Sequence, residues 1–284
     1  MRAVLICPSN RIGAEALSSA GSLSAWPLFG APLAVHWIER LTAMGMKHIT
    51  VLVGRRADDL RAEIGDGERW GIETKLVSVA RELTVEEARA KFGPADEVVV
   101  ADCLPGLPNQ QLFGSYTQFF AGVQKAFFTL APRGRVGARE IQPGVWVGLR
   151  THIGADATFE APCWLGEDVH VEKDAHLGPW AILEDRVWVG AGAEVVQSVI
   201  GAETSLGVAT SLKNSIAFGS TLINWQTNSI ATVADSFLLC GLRATPFKQR
   251  IRRIFARLAE KPEPIDSDPP MAMAISEPEP VGQV

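Results

Sequence analysis

Residues 141–196 read IQPGVWVGLRTHIGADATFEAPCWLGEDVHVEKDAHLGPWAILEDRVWVGAGAEVV, and an apolar residue returns at every sixth position of this stretch. The beat falls on Ile141, Val147, Ile153, Phe159, Leu165, Val171, Leu177, Leu183, Val189 and Val195. After a one-residue deletion it resumes at Ile200, Leu206 and Leu212. Glycine follows it at Gly148, Gly154, Gly166, Gly178, Gly190, Gly201 and Gly207, and small or β-branched residues such as Thr151, Ala157, Cys163, Val169 and Ala175 come four positions after it. No α-helix has a period of six. Short strands joined by tight corners do, because glycine accepts corner dihedrals that other residues resist.

Composition narrows what surrounds this repeat. A chain of 284 residues is long enough for two domains that each bury a core. A formal net charge of −5 argues against nucleic acid as a partner, since neutralising phosphates takes a basic face. The four cysteines, Cys7, Cys103, Cys163 and Cys240, form no CxxC pair and read as reduced cytoplasmic thiols. The opening MRAVLICPSN is too brief for a signal peptide and reads as a buried strand. No stretch approaches the ~18 apolar residues of a membrane span, so a soluble, cytoplasmic protein is expected.

Residues 1–104 alternate strand and helix signals. Strands are expected at Ala3–Ile6, His48–Val53, Glu73–Val79 and Val98–Ala101, with helices over Leu33–Met44, Ala57–Ile64 and Thr84–Phe92. That order implies a reduced, doubly wound parallel sheet whose ligands sit beyond the carboxyl ends of its strands, where Asp102 stands. Residues 105–140 form an aromatic-rich connector (Phe113, Tyr116, Phe119, Phe120, Phe127, Phe128) that reads as a helix packed between two domains. The repeat region spans 141–241. Residues 246–261 make an amphipathic helix with Lys248, Arg250, Arg252, Arg253 and Arg257 around an apolar face, suited to closing the end of the repeat or to contact with an anionic membrane surface. The tail 262–284, rich in proline and acidic residues, reads as disordered.

On these residues the repeat region resembles the left-handed parallel β-helices of hexapeptide-repeat proteins, in which three hexads make one triangular coil and the prisms commonly form homotrimers. The first domain resembles the sugar-phosphate nucleotidyltransferases. Trp26-Pro27-Leu28-Phe29-Gly30-Ala31-Pro32-Leu33 is similar to their "LPVAGKPL" segment. Gly65-Asp66-Gly67-Glu68-Arg69-Trp70-Gly71-Ile72 is similar to their "GDGSRWGV" turn, and Glu97-Val98-Val99-Val100-Ala101-Asp102 to the strand whose last carboxylate meets Mg²⁺ and nucleotide-sugar phosphates. The departures are as specific. In place of the family's glycine-rich phosphate loop stands Cys7-Pro8-Ser9-Asn10-Arg11-Ile12-Gly13, in which Pro8 removes a donor. Leu23 and Ala31 stand where two family lysines would, and the half-domain carrying the second metal-binding aspartate is missing.

The resemblance implies an α/β plus all-β architecture and a place in nucleotide-sugar or envelope-polysaccharide metabolism. Arg11 and Asp102 are the candidates for a nucleotide or sugar phosphate, with Asp102 as the candidate Mg²⁺ ligand. A protein that binds or regulates, with a degenerate active site, is the expected function. An active sugar-1-phosphate nucleotidyltransferase, a hexapeptide acyltransferase and a trimeric scaffold remain as alternatives. For the acyltransferase the candidate bases are His152, His170 and His176, each one residue before a beat and therefore pointing outward. Stacking by coils predicts three outward columns: His152/His170/Trp188, Trp146/Trp164/Ile182 and Thr158/His176/Glu194. The tryptophan column is an apolar ladder that needs a cover, either the first domain or a neighbouring prism. Lys213-Asn214-Ser215-Ile216 and Ala234-Asp235-Ser236 are similar to markers of bifunctional nucleotidyltransferase–acetyltransferases, but no histidine lies between them.

Overall fold

The computed structural model describes residues 1–19, 21–54, 58–92, 97–130 and 137–242. The expected helix at 246–261 and the tail at 262–284 lie outside the described residues. Met1–Ala244 form one compact unit.

Four parallel strands make the first sheet. Arg2–Ile6 pairs with His48–Val53 on one side and with Glu97–Val100 on the other, and Glu73–Ser78 adds beyond His48–Val53. In chain order the sheet runs third, second, first, fourth. Its two central strands, Arg2–Ile6 and His48–Val53, are near-continuous apolar runs because both of their faces are covered, whereas the edge strand Glu73–Ser78 carries Glu73, Thr74 and Lys75. Ala3, Leu5, Ile49, Val51 and Val53 join the core that contains the Leu33–Ala43 helix. Val4, Ile6, Leu52 and Val98 turn the other way, onto Ala88 of the Val85–Phe92 helix. Two small features escape the strand-and-helix pattern: a hairpin of Pro27–Leu28 with Ala31–Pro32, and a second of Cys103–Leu104 with Leu107–Gln111.

From Val145 the chain winds into stacked parallel strands, consistent with a β-helix. Val145–Val147, Cys163–Leu165, Ala181–Leu183, Ser198–Ile200 and Ser215–Phe218 share one face. His152–Ile153, His170–Val171, Trp188–Val189 and Thr204–Leu206 share a second. Thr158–Phe159, His176–Leu177, Glu194–Val196 and Ser211–Lys213 share a third. The register steps by 18 residues up to Ile182, Trp188 and Glu194, then by 17 to Val199, Ser205 and Ser211, so the one-residue slip in the beat shortens one side of a coil. Beat residues and those four places after them fill the interior, from Val147 and Cys163 to Val195 and Leu206.

Glycine is not the only corner residue. Arg150, Asp168, Arg186 and Glu203 stack at one corner with φ between 53° and 58°. This left-handed conformation costs a non-glycine residue roughly 1 kcal/mol. Backbone bonds up the stack, such as Asp168 N to Leu149 O at 2.9 Å and Arg186 N to Glu167 O at 2.8 Å, offset part of it. The four side chains alternate in sign and pair, Arg150 with Asp168 at 2.7 Å and Arg186 with Glu203 at 2.8 Å.

The first beat residue falls outside the stack. Ile141 lies in Arg139–Gln142, which turns back antiparallel on Val145–Val147, and it is 39% exposed. The Pro143-Gly144 turn reverses the chain there, so the coils start at Val145. At the other end Thr221–Asn224 and Ser229–Thr232 extend the first face antiparallel, and Leu239–Gly241 does the same on the second.

The tryptophan face of the coils is covered by the chain's own first part. Tyr116–Thr129 is a 14-residue helix capped by Ser115, whose hydroxyl accepts from Gln118 N at 3.1 Å. Its Phe119, Phe120, Val123, Ala126 and Phe127 belong to one core with Leu5, Phe29, Ile38, Trp164, Ile182, Val199 and Ile216. Aromatic contacts stitch the two parts: Phe29 on Trp164 at 5.7 Å, Phe127 on Trp180 at 5.8 Å, Trp26 on Phe218 at 5.1 Å, and Phe120 stacked on Trp225 at 4.4 Å.

Candidate functional site

The strand order reverses between Arg2–Ile6 and Glu97–Val100, and in a doubly wound sheet a crevice opens at such a point beyond the carboxyl ends. Two segments enter it. One is the Cys7–Gly13 loop after the first strand; the other is the Ala101-Asp102 turn after the fourth, fixed by Ala101 N to Ile6 O at 2.8 Å. A pocket of about 250 Å³ lies there, lined by Arg11, Ile12, Asp102, Gln111, Phe113 and Gly114. The two residues singled out in the sequence, 91 positions apart, are thus brought together: Arg11 Nη2 donates to Asp102 Oδ2 at 3.2 Å.

The same guanidinium is engaged by a residue that sequence reasoning passed over. Arg11 Nη1 and Nη2 donate to the two carboxylate oxygens of Glu82 at 2.8 and 2.6 Å, and Nη1 also reaches Asn10 O at 2.9 Å. These charged partners, Glu82 first, push the Arg11 pKa further up. Glu82 follows the third strand just as Asp102 follows the fourth, so its position at a strand's carboxyl end was the signal available.

The loop after the first strand lacks one backbone N–H donor. Pro8 has none, and its carbonyl accepts the Ser22 hydroxyl at 3.1 Å. Gly13 is fixed by sterics: its φ is 93°, and a Cβ there would stand 2.3 Å from Gly114 O. Cys7, at the root of the loop, is an inert thiol, since burial pushes its pKa up to about 12. Cys103, beside Asp102, is raised to about 11, by burial first and then by the neighbouring carboxylate. All four cysteines are free and buried.

The three outward histidines occupy two faces of the coils. His152 and His170 stack with ring centroids 4.7 Å apart, and His170 stacks on Trp188 at 3.8 Å. Burial, and then the neighbouring His152, lowers the His170 pKa. His176 lies on the third face in register with Glu194, and its Nδ1 is 2.9 Å from the Thr158 hydroxyl. Glu194 in turn meets Ser211 at 2.8 Å and Lys213 at 2.8 Å. The histidine columns are therefore not brought to Arg11 and Asp102. Among the described residues no group of three or more His, Cys, Asp or Glu is placed to hold a metal ion, and no helix is long and apolar enough to cross a membrane.

A buried carboxylate joins the coils to the first part of the chain. Glu184, 1% exposed, accepts from Phe29 N at 2.8 Å and Gly30 N at 2.6 Å, closing the tight turn of the first hairpin. Its column otherwise reads Gly148, Gly166 and Gly201, and a glutamate interrupting a glycine column is a signal the sequence carried. No family model matches the chain, and no curated protein matches it.

Proposed function

We propose that this chain is a nucleotidyltransferase-like protein of nucleotide-sugar or envelope-polysaccharide metabolism that binds or regulates rather than turns over. The reading rests on one observation: Arg11 and Asp102, the residues its resemblance marks for a nucleotide or sugar phosphate, meet at 3.2 Å in the crevice of the parallel sheet. A guanidinium matches a phosphate bidentately. Asp102 is the carboxylate available to a Mg²⁺ ion that arrives with the ligand's phosphates, because Mg²⁺ commonly takes one or two protein carboxylates and completes its shell with phosphate and water. Against turnover stand Pro8 in the loop and the want of lysines at Leu23 and Ala31, since phosphoryl chemistry depends on charge neutralisation and positioning. The coils, read as a left-handed β-helix, assemble in this proposal as a homotrimer through faces that the first part of the chain leaves open.

Thermal-shift measurements against nucleoside triphosphates, sugar nucleotides and acetyl-CoA test the proposal, because a ligand that prefers the folded state raises its melting temperature. A nucleotide or sugar nucleotide should stabilise the protein, with Asp102→Ala losing the Mg²⁺-dependent part of the shift. Stabilisation by acetyl-CoA alone would move the function to the coils and their histidines. A silent screen would leave only a scaffold.

A further inference from the structure

Arg11 presents to the crevice the planar fork by which arginine holds carboxylates and phosphates. Both arms of that fork are taken by Glu82, and one of them also meets Asp102. One guanidinium thus faces two carboxylates, a local charge of −1, and a phosphate approaching this triad meets a repulsive field. The three side chains keep 27%, 30% and 25% of their surface exposed. A pair so placed exchanges with dissolved ions far more readily than a fully buried one, which costs several kcal/mol to break.

The segment carrying Glu82 is held at both ends: Val79 N donates to Val53 O at 2.8 Å, Leu83 packs against the core beneath the helix, and the helix that follows holds the other end. Helix Val85–Phe92 begins with a reciprocal cap: Glu87 N donates to Thr84 Oγ1 at 3.2 Å, and Thr84 N donates to Glu87 Oε2 at 3.0 Å. Arg81 Nη1 adds a bond to Glu87 at 2.8 Å. Residues 81 and 84 are therefore tied to the helix, while the Glu82 side chain alone crosses to Arg11. It can leave the guanidinium without disturbing the helix.

We propose that Glu82 is an internal anion seated where a ligand phosphate would sit, so that the crevice binds phosphate-bearing ligands only by exchange with this carboxylate. The proposal rests on the reading of the crevice as a phosphate site and names its regulation. The Glu82 side chain acts as the gate on a fixed loop, and whatever draws it away opens the site.

Isothermal titration of the full chain with ATP and with tripolyphosphate tests it, the fold being followed by circular dichroism. Glu82→Gln removes one negative charge and keeps the shape, and should tighten both ligands about ten-fold, the scale expected when one close, partly screened charge is removed. Glu82→Asp, too short to hold both arms of the fork, should fall between Glu82→Gln and the natural chain, and serves where the glutamine variant folds poorly. Arg11→Gln combined with Glu82→Gln should lose the gain. Equal affinity in the natural chain and a folded Glu82→Gln variant rejects the gate while leaving the phosphate site standing. No binding by any of them rejects both.

Discussion

Two faces of the same coils have opposite fates. The Trp146/Trp164/Ile182 face and the His152/His170/Trp188 face are built from strands of two or three residues in the same parallel register. On the first, Trp164 and Ile182 are 2% and 1% exposed, because the Tyr116–Thr129 helix and the first hairpin lie across them. On the second, His152 is exposed and His170 and Trp188 are half-buried, sheltered mainly by one another. The backbone of these stacked parallel strands is thus indifferent to what its outer columns carry. Interior beat residues hold the coils, and the outer columns are available for docking or for display.

The sharpest way to break this contrast is Trp164→Ala. The indole packs edge-on against Phe29 and is 2% exposed, so truncation leaves a cavity as well as lost apolar burial. Large aromatic-to-alanine changes in cores cost about 3–5 kcal/mol. Urea unfolding should report that loss, and a loss below about 1 kcal/mol would mean that the covered face is not a shared core.

Glu184→Ala probes the same junction through polarity. The substitution takes the carboxylate acceptor from the buried Phe29 N and from Gly30 N, and hydrogen bonds to a charged acceptor are worth about 1.5–3 kcal/mol each. A destabilisation of about 3 kcal/mol is expected from urea unfolding. Glu184→Gln, which keeps one carbonyl acceptor, should recover part of it. Equal stability of the alanine and glutamine variants would show that the turn finds other acceptors.

What could be read before the fold was known follows the same division. The hexad beat specified the coils because interior positions are selected by a packing rule that repeats, and every column from Val147 to Leu206 obeys it. The central strands of the first sheet were legible for a related reason, since short runs such as Val4-Leu5-Ile6, bounded by turn residues, suit a strand buried on both faces. The Glu82–Arg11 pair was harder to read, because it joins positions 71 residues apart: the place of Glu82 after the third strand marks it, but nothing local directs it to Arg11. Glu184 was half legible: the glycine column announces an oddity, but not the turn at Phe29 and Gly30 that it serves. The tryptophan column showed that a cover was needed and left two choices for it. The choice depended on the angle at which a helix crosses a sheet, which no period encodes.

The open face yields the smallest effect and the finest test. Trp188 lies flat on His170, and burial by such neighbours is the first cause of its lowered pKa. In the unfolded chain the imidazole returns to its ordinary value of about 6.5 and takes up a proton more readily than in the fold. Stability therefore falls as pH drops below about 6.5 and levels off once the folded imidazole is protonated too; above 6.5 the group contributes no slope. Trp188→Ala should cost about 1 kcal/mol, the scale of an aromatic pair at a partly exposed site. It should also raise the His170 midpoint, read from the imidazole proton resonances in an NMR titration, towards 6.5. His152 stays beside His170 in the variant, so some depression should persist. An unmoved midpoint would mean that His152, not Trp188, governs the column. The second face would then be a charge-coupled pair of imidazoles rather than an aromatic stack sheltering one of them.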